Sequence, residues 1–165
     1  MKKKGFTLAE ILVSLGIIGV VAAIVLPTFI SSHKQQVHEA TRKSAESVFE
    51  NALSAMMADE FAEDLSFTKI WAEQKNNSQA REIFGEYMKF TSTDPDQYMQ
   101  QGVGMMLKSG AVIYFDIKDK PNNDEAAMMK IDTNGKAEPN KTDVDIYNYR
   151  LGYNGALHYI KGYDN

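Results

Sequence analysis

Glu10 is the residue that most needs a chemical explanation. Directly after it come twenty residues, 11–30, without a charge. At about 1.5 Å of rise per residue, a helix of that length covers roughly 30 Å, the thickness of a bilayer's hydrocarbon core. A carboxylate costs about 2.5–3.5 kcal/mol at the centre of such a helix and less near its edge, and it usually has a partner. Just upstream stands the pair Gly5–Phe6. A glycine there lets a peptidase hold the backbone closely and in extended form. Near the far end, Pro27 lacks an amide proton and crowds the carbonyl of Ala23, so a helix through it is weakened. Gly16 and Gly19 weaken the same segment and also permit close helix approach, although their spacing is not GxxxG.

Elsewhere the chemistry is thin. His38–Glu39 opens like a zinc-protease HExxH, but Arg42 stands where the second histidine is needed. His33 and His158 are the other histidines, and all three read as solvated or packed side chains. Gly102 and Gly104 begin a GxGxxG that Leu107 ends, and there is no GxSxG, P-loop or full EF-hand loop. Asp132, Asn134, Asp143 and Asp145 flank an Asn-Gly turn and the Pro139–Asn140 loop. Their oxygens suit calcium, but the spacing is not diagnostic and a plain hydrogen-bonded turn is the favoured reading. No catalytic residue, cofactor or metal is assigned.

These residues must be carried by a chain of 165 residues with a net charge of −4. Loss of the three lysines Lys2, Lys3 and Lys4 with a leader would take the balance from −4 to −7. That argues against a nucleic-acid binder, which needs clustered Lys and Arg. Without cysteine there is no disulfide frame or thiol nucleophile, so packing or a bound ion must hold an exported domain. Nine methionines, including three doublets, read as gap-filling core residues. The lysines in front of the apolar run hold the N-terminus on the cytoplasmic side by the positive-inside bias. The run is too long for an ordinary secretory signal, and no polar cleavage segment follows Ala22–Ala23. It reads as a retained anchor.

From Ser31 the pattern turns amphipathic. Ala45, Val48, Phe49, Ala52, Leu53 and Met56 fall on one helical face, with Arg42, Lys43, Glu46 and Glu50 on the surface. One helix is expected from Phe6 to Met57 or Phe61. A short helix around Leu65, Phe67, Ile70 and Trp71 follows, then a break with Ser78 as N-cap. A further helix holds Ala80, Ile83, Phe84, Tyr87 and Met88 and ends near Phe90. Residues 91–101 and 119–124 read as loops. From Gly102 the period becomes two, giving strands around Met105, Ile113, Met129 and Tyr149, with turns at Ser109–Gly110 and Tyr153–Asn154–Gly155. A short last strand over residues 156–160 is also expected. The fold class is α+β: a long N-terminal helix whose second half covers an antiparallel sheet of about four strands.

The combination of a basic leader, a Gly5–Phe6 junction, Glu10 and the apolar run with Pro27 resembles the signal of type IV pilins and type II secretion pseudopilins. The close likeness covers the first thirty residues or so. The resemblance implies cleavage after Gly5 by a prepilin peptidase that also methylates the new amino group of Phe6. It implies that Glu10 meets that amine, on its own or a neighbouring subunit, when helices pair. It also implies that the helix around Pro27 can lose its form on assembly, and that the fold is pilin-like.

The expected organisation is a cleaved leader 1–5, a transmembrane and filament-core helix 6–30, its amphipathic continuation 31–60, and an extracytoplasmic head 61–165. The expected role is a non-enzymatic subunit of a type IV pilus-like filament, in a pilus, type II secretion or DNA-uptake system. Its implied partners are the peptidase/methyltransferase, other pilins or pseudopilins, and an inner-membrane assembly platform with a motor ATPase. It would sit as a single-pass protein in the cytoplasmic membrane, head outside, before reaching a surface or periplasmic filament. The competing expectation is a membrane-anchored binding protein or adhesin that uses the signal for export.

Overall fold

The computed structural model describes residues 5–93, 103–118, 124–135 and 137–163. The leader lysines and the stretches expected as loops over residues 94–101 and 119–123 lie outside the described residues. The chain divides into two compact units, Met1–Val37 and His38–Asn165.

Helix α1 spans Leu8–Asp59 and runs through Pro27 without interruption. In the first unit its apolar stretch is long and greasy enough to cross a membrane, and none of it is buried within the protein. In the second unit the same helix buries Ala45, Phe49, Ala52, Leu53 and Met56. Val48, expected on that face, is 36% exposed, so the buried stripe is narrower than the periodicity suggested. The helix ends without a glycine. Phe61 takes a φ of 53°, and the Ala62 amide donates to the Met57 carbonyl at 2.9 Å, which closes the last turn.

A 3-10 turn (Leu65–Phe67) and the short α2 (Lys69–Ala72) follow. Phe67 is exposed, whereas Leu65 and Ile70 are buried. Helix α3 spans Asn77–Tyr87. Its cap is Asn76, not Ser78. Asn76 Oδ1 accepts from the Gln79 amide and Gln79 Oε1 accepts from the Asn76 amide, both at 3.0 Å. This reciprocal box satisfies two end groups where a lone serine would satisfy one.

Among the described residues the sheet is an antiparallel meander of six strands rather than about four: β1 (Thr91–Thr93), β2 (Val103–Met106), β3 (Val112–Asp116), β4 (Glu125–Asp132), β5 (Ile146–Gly152) and β6 (Leu157–Ile160). β1 lies within a stretch expected as loop, because three polar residues carry no alternation. β2 and β3 join at Gly110, whose φ of 89° suits a residue without Cβ. One sheet face brings Met105, Ile113, Phe115, Met129, Ile131, Tyr149 and Leu151 into the core with α1 residues of the same unit. At its centre Phe49, Phe84 and Phe115 meet with centroids 5.1–5.8 Å apart, in the tilted and edge-on arrangements that aromatic quadrupoles favour. The other face carries a smaller cluster of Val112, Tyr114 and Met128. The class is α+β with a long N-terminal helix and an antiparallel sheet, as the resemblance implies.

Candidate processing and assembly site

The Gly5–Phe6 junction lies outside the helix, with the Phe6 side chain 84% exposed. Among the described residues, nothing lies within 4 Å of where a Cβ on Gly5 would stand. The helix starts at Leu8 because Thr7 and Glu10 close a capping box. The Thr7 amide and the Thr7 hydroxyl both donate to Glu10 Oε2 at 2.8 Å, and the Glu10 amide donates to Thr7 Oγ1 at 3.3 Å. Glu10 is therefore not a bare charge at the head of the apolar run. Two donors from its own chain hold one of its oxygens. The signal for this box in the sequence is Thr-x-x-Glu before an apolar run. Pro27 lies on the same helix and donates no hydrogen bond to Ala23.

A second polar cluster sits in the other unit, where Arg42 was expected on the surface. Its Nη1 donates to Glu46 Oε1 at 2.8 Å and to the Tyr149 hydroxyl at 3.1 Å, and its Nη2 donates to Glu39 at 3.2 Å. The guanidinium lies 5.2 Å from the Tyr147 ring centre and 5.5 Å from that of Tyr159. Tyr149 donates in turn to Glu46, and Tyr159 to Asp143. Burial pulls the guanidinium pKa down, but Tyr149, Glu46 and Glu39 outweigh it and raise the net value. Burial and then the Glu46 contact push the Tyr149 phenol up. No local sequence pattern links residue 42 to residues 147–159, so this knot was not legible in advance.

The three aspartates of the C-terminal loop each accept at least one backbone amide. Asp145 accepts from the Asn140 and Lys141 amides at 2.8 and 2.6 Å. Asp143 accepts from the Gly162 amide at 2.8 Å, and Asp132 Oδ1 accepts from the Asn134 amide at 3.1 Å. Among the described residues no group of three or more acidic, histidine or cysteine side chains is arranged to hold a metal ion. Asp132 is fully buried, and its Oδ2 has no hydrogen-bond donor among the described residues. Burial, with the nearby Asp145 charge adding to it, pushes its carboxyl up to about 6. His38 Nδ1 lies 2.7 Å from Thr133 Oγ1, and that hydroxyl donates to the Asp145 carbonyl, so His38 is the donor. His33 and His158 are exposed.

Residues 1–26 match the family model of the prokaryotic N-terminal methylation motif. The chain carries the prepilin-type signal of type IV pilins and pseudopilins. No curated protein and no solved structure matches the chain. The prepilin signal thus covers Gly5, Phe6, Thr7 and Glu10 and stops one residue before Pro27. It implies processing by a prepilin peptidase and assembly with other pilins. With the apolar helix behind it, the signal implies membrane anchoring.

Proposed function

We propose that this chain is a structural, non-enzymatic subunit of a type IV pilus-like filament, serving a pilus, a type II secretion system or DNA uptake. The protein waits in the cytoplasmic membrane as a single-pass subunit, N-terminus inside and head outside. The peptidase cuts after Gly5 and methylates Phe6. An assembly platform driven by a separate motor ATPase then moves residues 6–30 from lipid into a bundle of like helices. Glu10 pairs there with the Phe6 amine of its own or a neighbouring subunit, and the helix gives way around Pro27 as it packs.

One observation carries this reading: the prepilin signal runs into an apolar helix stretch of which nothing is buried among the described residues. Gly16 and Gly19 point the same way. Each costs a helix interior about 1 kcal/mol relative to alanine. Among the described residues, apart from the helix's own backbone, nothing comes within 4 Å of where their Cβ atoms would stand, which is consistent with a packing benefit from outside. Identical lateral contacts that do not close generate a fibre.

The test is to shear cell surfaces and blot the released fraction for the head. The parent appears there in filaments and Glu10→Gln does not. Processed protein that stays dispersed in the membrane fraction supports the anchored binding protein or adhesin instead.

A further inference from the structure

We propose that the heads of neighbouring copies meet through Phe61 of one and a cleft beside α2 of the next, with the acids around Phe61 facing the lysines at the cleft. The choice of a second copy as the occupant rests on the filament reading, which brings identical heads side by side. Phe61 is held in an unusual way. Its backbone stands at a φ of 53°, a region that bulky side chains rarely take, and its ring is 96% exposed. The segment around it is pinned. The Ala62 amide donates to the Met57 carbonyl at 2.9 Å, and the Leu65 amide donates to the Tyr153 carbonyl at 2.8 Å. Glu60 Oε2 accepts from the Lys69 amide at 2.6 Å. The ring is therefore held out in solvent and finds almost no contact on its own chain. Backbone strain that the chain does not recover is characteristic of functional surfaces. Residues 59–64 read Asp-Glu-Phe-Ala-Glu-Asp, so four acids surround the ring in sequence.

The same head carries a cleft of complementary character. A cavity of about 480 Å³ lies between α2, the end of β3 and the turn after β5, with apolar walls from Trp71, Ile117 and Tyr153 and with Lys75 and Lys118 also lining it. Clefts that take ligands run from roughly 300 to 1,000 Å³, and this one has room for an aromatic ring. Lys75 shares its charge with Glu73 at 2.7 Å. Lys118 is exposed and forms no ion pair among the described residues. An aromatic anchor flanked by acids matches an apolar cleft edged by lysines in both character and charge. Anchor and cleft are different patches, so each copy gives its ring to one neighbour and takes a ring from another, a contact that repeats along a fibre. Such a small contact is weak alone, but it gains from effective concentration once the apolar helices hold the subunits together.

The chain has no cysteine, so an introduced pair reports only its own contact. Two differently tagged full-length copies are made together in cells with the peptidase. One carries Glu63→Cys, which leaves Phe61 in place, and the other carries Gln74→Cys at the cleft. Mild oxidation of sheared filaments should join the two tags. Adding Phe61→Gly to the first copy should lower the joined fraction roughly tenfold or more, the order for losing a buried aromatic anchor. Adding Lys118→Glu to the second should lower it a few-fold, and less at high salt. Phe61→Gly relieves strain, and a denaturant melt of that variant shows that its head is intact. Filaments in which the tags do not join, or join equally well with Phe61→Gly, overturn the inference. Copies that are processed but never leave the membrane fraction defeat the filament reading first, and the head contact with it.

Discussion

Residues 8–37 and 38–59 belong to one helix, yet they treat their apolar side chains in opposite ways. The first stretch exposes Leu12, Ile17, Val20, Ile24 and Phe29 and keeps one acid at its head, tied to its own chain. The second buries five residues in a row of one face, and its arginine is tied to tyrosines far along the sequence. The second stretch is therefore stabilised by its own chain. The first needs a cover from outside, because every exposed apolar side chain there forfeits about 25 cal/mol per Å² that lipid or a neighbouring helix would recover. The contrast lies in the pattern of side chains and not in the backbone, which is helical throughout.

The contrast is open to attack at several strengths, with the full chain kept in neutral detergent micelles. Phe49→Ala removes a fully buried ring from the centre of the aromatic cluster and should cost the head about 3–5 kcal/mol. A melt of the head followed by circular dichroism at unchanged temperature would show that α1 does not belong to that core.

Asp132→Asn should have the next largest effect, and it depends on pH. The folded pKa of Asp132 is raised from 3.8 to about 6. Its contribution is therefore fully favourable below about pH 4 and is lost as pH rises through 6. The asparagine variant should be more stable than the parent above pH 7, by on the order of 2–3 kcal/mol, and lose that advantage toward pH 4. Denaturant unfolding at several pH values reads both. An equal difference at every pH would remove the titration from the explanation.

Phe61→Gly should stabilise the head by about 0.5–1 kcal/mol, since a bulky residue sits there at positive φ with its ring in solvent. The smallest effect is expected from Leu12→Ala. It should move head unfolding by less than about 0.5 kcal/mol, the range of surface substitutions, while lowering sheared filament yield. A large shift in head unfolding would mean that the two stretches are coupled after all.

Much of this was legible in the sequence because the signals were local. The uncharged run after Glu10, the apolar face from Ala45 to Met56, and the Ser109–Gly110 turn each lie within a dozen residues or two. What was missed depended on contacts across the chain or on polar residues in unfamiliar positions. Arg42 reads as a surface charge until Tyr147, Tyr149 and Tyr159 are brought over it. Strand β1 is polar and takes its strand form from pairing with β2, not from its own pattern. The end of α1 at Asp59 falls within the expected range, Met57 to Phe61, although the residue in the left-handed conformation beyond it is Phe61 and not a glycine. Thr7 is the exception, because its capping box with Glu10 is a local Thr-x-x-Glu pattern.

The account stands most directly on the chemical identity of the N-terminus. Intact-mass and terminal-fragment mass spectrometry of protein purified from a cell that makes the peptidase will read it in one measurement. The account predicts a chain lacking residues 1–5 that begins with N-methylated Phe6. A purified working protein that still begins at Met1, or one cut near Ala23, would contradict it.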